Sequence, residues 1–256
     1  TEIPANRGAV EDLESVLDII MNHPNLAPFV SRRLIQHLVT SNPSPDYVRR
    51  VSIVFTRSKG DMKQTIKAIL LDQEAREGDL PNPVSNRVGK IRESMQATAS
   101  LWRSLGCSTW PVRTAGPAQW LGLPVTWYNQ APLSARNVFG YYSPENRTPS
   151  TNLNSPEHTL LDADHYRRGF GDDLFSHREN LRAAKCSIDG FIAAFEGSEE
   201  AFIQLVNERF FKGYMSYELR AQAREIIRLT KGVNEYARGG YVLNALLMSP
   251  EYRSLR

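Results

Sequence analysis

Apolar residues recur at three- and four-residue spacing from the start of the chain, which is the period of a helix with one buried stripe. Val10, Leu13, Val16, Leu17 and Ile20 form the first such run, beginning near Glu11. Asn22-His23-Pro24-Asn25 ends it, because proline disfavours helical geometry in the residue before it. A second helix is predicted from about Ala27 to Leu38, with Phe29, Val30, Leu34, Ile35 and Leu38 inward and Arg32, Arg33 and Gln36 on the opposite face. Thr40-Ser41-Asn42-Pro43 breaks the pattern, and Ser44-Pro45 then reads as an N-cap followed by proline at the first helical position. A third helix follows to about Phe55. After a Lys59-Gly60 turn, Asp61 caps a fourth, carrying Met62, Ile66, Ile69 and Leu70 and running to Ala75. Short loops between these helices favour antiparallel neighbours.

Residues 78 to 89 are rich in Pro, Asn and Gly, and a helix with Met95, Leu101 and Trp102 on its apolar side is predicted from Ile91 to Leu105. From 106 to 154 the character changes. Prolines punctuate the segment, helical runs are few, and three of the four tryptophans (Trp110, Trp120, Trp127) lie in it. A long irregular segment in a compact protein is usually functional or wraps over helices. Helical pattern resumes at Ser155-Pro156-Glu157-His158, with further helices expected at 177 to 185, 188 to 196, 199 to 211, 216 to 231 and 236 to 248. The prediction is an all-α, multi-helix bundle forming one domain over 1–256, with helical clusters to about 77 and from 155 flanking the irregular centre.

The two ends of the chain resemble each other. AILLDQEAR (68 to 76) stands beside NALLMSPEYR (244 to 253), with the two leucines, the acid and the final arginine in the same order. Such self-similarity predicts a repeat: a helix ends in a double leucine that docks on its neighbours, and then comes a polar cap in which Glu74 or Glu251 sits near a helix start, where the dipole favours an anion.

Composition is that of a folded globular chain: 41 % apolar and 23 % charged over 256 residues. No apolar run approaches the roughly 18 residues a membrane span needs. The formal charge of +3 comes from 31 basic and 28 acidic residues, so no basic field points to nucleic acid, and the Arg32-Arg33, Arg49-Arg50 and Arg167-Arg168 pairs lack the interleaved aromatics of a single-strand binder. Cys107 and Cys186 match no metal-ligand spacing and are either free thiols or one disulfide. The chain begins at Thr1 without a leader, so any targeting segment has been removed or lies upstream.

The chain resembles the bacterial family called domain of unknown function 1800. The likeness runs through DLESVLDIIMNHPNLAPFVSRRLIQHLVTSNPSPDYVRRVSIVF (12 to 55), GDMKQTIKAILLDQEAR (60 to 76), GKIRESMQATASLWRSLG (89 to 106), APLSARNVFGYYSPE (131 to 145) and LLMSPEY (246 to 252). It covers nearly the whole chain as the C-terminal part of the family's domain. It implies an exported protein, periplasmic or extracellular, with an N-terminal portion ahead of this stretch, and no known reaction or cofactor. Tyr141 and Tyr142 stand where relatives tend to place other aromatics.

Candidate chemistry is sparse. His158, Asp162 and His165, next to Glu157 and Asp164, would share a helix face, and imidazole with carboxylate there could bind a divalent metal or act as acid and base. The HExxH arrangement is absent, and Glu157 in a first turn equally suits the helix dipole. His23 and His37 fit helix ends. Arg32 and Arg33 beside the SNPSP loop could clamp a carboxylate or phosphate, or pair structurally with a residue such as Asp46. Trp120, Trp127 and Tyr128, with Asn129 and Gln130, suit a sugar or protein surface, or a core. No nucleophile elbow, phosphate loop or dinucleotide fingerprint is present. The leading expectation is a non-catalytic module binding a protein partner or cell-surface polymer. The alternative is a metal-assisted hydrolase around Glu157 to His165.

Overall fold

The structure, a computed structural model, describes residues 3–80, 88–107, 130, 135, 137–148, 151–160, 189–233 and 235–255. Among these the all-α expectation holds: eleven α-helices, one 3-10 turn (Pro156–Leu160) and a two-stranded pairing of β1 (Lys90–Ile91) with β2 (Ser254–Leu255). The chain divides into two compact units, residues 1–90 and 91–255.

The first unit holds α1 (Ala9–Met21), α2 (Leu26–Leu38), α3 (Pro45–Arg57), α4 (Met62–Leu71) and α5 (Gln73–Glu77). Helix α3 starts where the sequence placed it, because the Ser44 hydroxyl accepts from the Tyr47 N–H at 3.0 Å and Pro45 occupies the first helical position. The Lys59-Gly60 turn takes positive φ at both residues (53° and 83°), and a Cβ on Gly60 would sit 3.1 Å from Met21 Cε. Side chain and backbone both call for glycine there. The small core is Ile35, Tyr47, Val51 and Ile69, with Leu34, Val39, Val48 and Ala75 against it.

Two expectations for this unit are corrected. The fourth helix does not run to Ala75. It breaks at Asp72, which adopts extended backbone (ψ 144°) and caps α5 by accepting from the Glu74 N–H at 2.9 Å. Arg50 holds the same carboxylate bidentately, 2.7 Å on each arm, so capping and ion pairing together outweigh one more turn of α4. The inward stripe of α2 is also rotated from prediction. Ser31, Ile35 and Gln36 are buried, while Phe29 and Leu38 face out. Gln36 goes in because its Nε2 donates to the Ser41 carbonyl (3.3 Å) in the loop that leads to the Ser44 cap.

The second unit holds α6 (Ser94–Ser104), α7 (Asp189–Gly197), α8 (Glu199–Phe211), α9 (Tyr217–Leu229), α10 (Glu235–Leu247) and α11 (Pro250–Arg253). Helix α6 begins three residues later than predicted, since Lys90–Ile91 is drawn into β1. Its core is aromatic at the centre: the rings of Phe210 and Phe211 lie 6.3 and 5.9 Å from Tyr252, edge-on. Each such pair contributes about 0.5–1.5 kcal/mol beyond its buried area. Arg92 covers the Tyr252 ring from 4.7 Å. The segment expected at 177 to 185 lies outside the described residues.

Candidate binding surface

The repeat suggested by the two chain ends is built in the structure, and its working part is a serine-glutamate lock. In the first unit the Ser44 N–H donates to Glu74 Oε1 at 2.8 Å, and the Ser44 hydroxyl donates to Glu74 Oε2. In the second the Ser216 N–H donates to Glu251 Oε2 at 3.0 Å, and the Ser216 hydroxyl donates to Glu251 Oε1. Each serine also accepts from the third residue of the helix it caps, Tyr47 or Leu219. The helices so capped, α3 and α9, are both 13 residues long. They bury matching positions: Tyr47, Val51 and Phe55 in one, Leu219, Ala223 and Ile227 in the other. The break at Asp72 recurs at Ser249, extended at ψ 150° and capping the single turn of α11 with Pro250 at its first position. Glu74 and Glu251 therefore sit in a first helical turn, as the sequence predicted, and reach back to a second helix start as well.

The repeat is unequal in what it covers. In the second unit α7 packs on α8 and α10 and buries Phe191 and Phe195, with Phe195 edge-on to Phe202 at 5.1 Å. Counted along their helices, Phe202, Leu243 and Leu247 correspond to Phe29, Ile66 and Leu70 of the first unit. The former are 1 %, 6 % and 0 % exposed, the latter 43 %, 37 % and 44 %. Leu246 and Leu247 both dock in the second unit, whereas in the first Ile69 docks and Leu70 and Leu71 stay exposed. Helix α1, which precedes α2 as α7 precedes α8, buries no residue, and Val10 and Leu13 are 72 % and 57 % exposed. Between α2 and α3 an open groove of about 560 Å³ is lined by Pro24, Ala27, Pro28, Val48 and Ile53 together with Arg49 and Arg57.

Arg32 is exposed on α2. The Arg33 guanidinium stacks 5.4 Å over Phe29 and donates to Gln36 at 2.9 Å. Asp46, offered from sequence as their partner, is engaged instead by Arg49 at 3.2 Å. His23 has a turn role, its Nδ1 accepting from the Asn25 N–H at 3.2 Å. Trp120, Trp127, Tyr128, Asp162 and His165 lie outside the described residues.

Of the proposed catalytic stretch the structure describes Glu157 and His158. They lie on a 3-10 turn, whose three-residue period does not place side chains as the α-helical spacing assumed. His158 is exposed, but Glu157 is 1 % exposed and belongs to the interior. It faces the Tyr142 hydroxyl, which donates to Glu93, while Gln130 Nε2 donates to the other Glu93 oxygen at 2.7 Å. Tyr142 is raised far above the usual tyrosine range, first by burial, then by its hydrogen bond to Glu93 and the negative charges of Glu93 and Glu157. It is locked as a donor. Sequence reasoning did not find this cluster, since its members are spread from Glu93 through Gln130 and Tyr142 to Glu157 and share no motif. Among the described residues no group of three or more His, Cys, Asp or Glu side chains is placed to hold a metal ion. Cys107 is disulfide-bonded; Cys186, the chain's other cysteine, lies outside the described residues.

Two helical units, each pinned by a serine-glutamate lock, define a duplicated helical protein in which, among the described residues, the first unit exposes the helix face that the second buries. The chain belongs to the family described as protein of unknown function (DUF1800), whose family model matches residues 1–254. No curated protein and no solved structure matches it. Among the described residues no helix is long and apolar enough to cross a membrane.

Proposed function

We propose that the chain is a non-catalytic binding or assembly module acting outside the cytoplasm, in the periplasm or beyond the cell, and that its binding face lies on the first unit. The carrying observation is the uncovered apolar surface there: α1, the outer sides of α2 and α4, and the groove lined by Val48 and Ile53. Water-exposed apolar area on this scale costs free energy unless a partner removes it, at roughly 25 cal/mol per Å². A protein partner fits this surface better than a polysaccharide, which would call for the aromatic and polar mixture of Trp120, Trp127 and Tyr128. Export is supported by the disulfide at Cys107, since such bonds persist in oxidising compartments.

A photo-crosslinking side chain at Ile53 or Leu17, introduced into the full chain in the cells that make it, tests this reading. Adducts at these positions, and none from exposed Glu225 on the second unit, are expected. Absence of any adduct from the first unit, to itself or to another molecule, would sink it.

The alternative of a metal-assisted hydrolase draws on one observation, the meeting of the Glu93 and Glu157 carboxylates at Tyr142. Metal analysis of the purified chain decides it. Stoichiometric metal, lost in His158→Ala and His165→Ala, favours the enzyme; a metal content unchanged by either substitution removes it.

A further inference from the structure

We propose that the partner of the first unit is a second copy of this chain, each copy laying α1 across the α2–α4 face of the other. The inference rests on the binding-module reading above and names its occupant. The internal repeat shows what that face accepts. In the second unit the equivalent face is covered by α7, an amphipathic helix that sets Phe195 against Phe202 and Phe191 against Phe210. In the first unit the same positions on α2 and α4 are open, and α1 carries a matching stripe of Leu13, Val16, Leu17 and Ile20 turned to solvent.

The stripe is held away from its own chain. The half-buried side of α1 is Asp12, Ser15 and Ile19, the opposite side from Leu13 and Leu17. The exit turn is tied by hydrogen bonds from the His23 N–H to the Ile20 carbonyl and from the Leu26 N–H to the His23 carbonyl, both 3.0 Å. Met21 is packed beside Gly60. Rolling α1 onto its own α2–α4 face would break this turn, whereas offering it to a neighbour keeps every bond.

Charge points the same way. Helix α1 carries Glu11, Asp12, Glu14 and Asp18 and no base, while α4 carries Lys63 and Lys67 and no acid. Two copies related by a two-fold axis would make the contact twice.

Sedimentation equilibrium of the full chain, with a crosslinker at Leu17, tests the proposal. The expected result is a dimer whose Leu17 adduct maps to α2 or α4 of a second chain. Leu13→Glu with Leu17→Glu, or Ile66→Glu alone, should weaken association at least tenfold while leaving the helical circular dichroism unchanged, because these side chains are exposed in the monomer. Lys63→Glu with Lys67→Glu should weaken it too, and Glu14→Lys with Asp18→Lys in the same chain should restore it. A chain that stays monomeric at 100-fold above micromolar concentration, a dimer indifferent to Leu17 and Ile66, or a Leu17 adduct within one chain overturns the proposal. A monomer whose Leu17 adduct is a foreign protein overturns it and leaves the binding reading standing; no adduct from Leu17 or Ile53 overturns both.

Discussion

Truncating Glu251 to alanine removes the acceptor from both the Ser216 N–H (3.0 Å) and the Ser216 hydroxyl. Hydrogen bonds to a charged group contribute about 1.5–3 kcal/mol each when dry. Serine and glutamate here are only half-buried, so water recovers a large part of that. About 2 kcal/mol remains for the pair, which for a chain this size lowers the melting temperature by roughly 4–8 °C. Ser216→Ala loses the hydroxyl arm of the lock, its backbone N–H still donating to Glu251, together with the N-cap that accepts from the Leu219 N–H, a loss of about 1 kcal/mol by itself. The double variant should therefore be less damaged than the sum of the singles, with a coupling of about 1–2 kcal/mol. Urea unfolding followed by tryptophan fluorescence measures the totals, and amide exchange at Leu219 reports locally, where opening should be accelerated. Glu251 is the cleaner test of the two locks because Glu74 also stands 4.0 Å from Arg50, which mixes an ion pair into the result. A loss under about 0.5 kcal/mol, or a coupling near zero, would refute the claim that the lock, rather than helix packing alone, holds the repeat together.

The unequal repeat predicts unequal leucines: Leu247→Ala should cost about 2–5 kcal/mol in urea unfolding, while its counterpart Leu70→Ala should cost under about 1 kcal/mol in the monomer and act mainly on self-association. Tyr47, fully buried with its hydroxyl donating to the Ile69 carbonyl at 2.6 Å, is raised well above the ordinary tyrosine value by burial, then by the charges of Asp72 and Glu74. Its contribution is complete below the unfolded value of about 10 and is lost as pH rises above it, so alkaline unfolding should set in past that pH and be shallower in Tyr47→Phe; a phenolate titrating in the folded protein near pH 10 at Tyr47 would contradict this. Opening the disulfide at Cys107 removes a constraint on the unfolded chain worth about 4 kcal/mol for a long loop, so melting under a strong reductant should fall by several degrees, and an unchanged melting curve would count against a stabilising bridge.

Helix starts were legible in the sequence because a cap is a local event. Ser44-Pro45 and Asp61 each act within three residues, and the structure uses both as predicted. Helix periods from 199 to 248 were legible for the same reason, as was the repeated ending around Glu74 and Glu251. The family marks spread over 12 to 252 also needed nothing but the order of residues.

What needed the tertiary structure was the partner of each face and of each polar group. Phe29 and Phe202 stand at the same step of equivalent helices, yet one is open and the other buried, because α7 lies on its unit and α1 does not lie the same way on its own. No local pattern distinguishes them, since hydrophobicity records that a side chain can be covered and not what covers it. Glu157 went inward for the converse reason: the Tyr142 hydroxyl it faces comes from a loop that only folding brings near. Asn207 on α8 is buried likewise, its Oδ1 accepting from the Met215 N–H at 2.9 Å just ahead of the Ser216 cap. Sequence determined where the helices begin and that they come in two sets; only packing decided which set was left with a face for another molecule to cover.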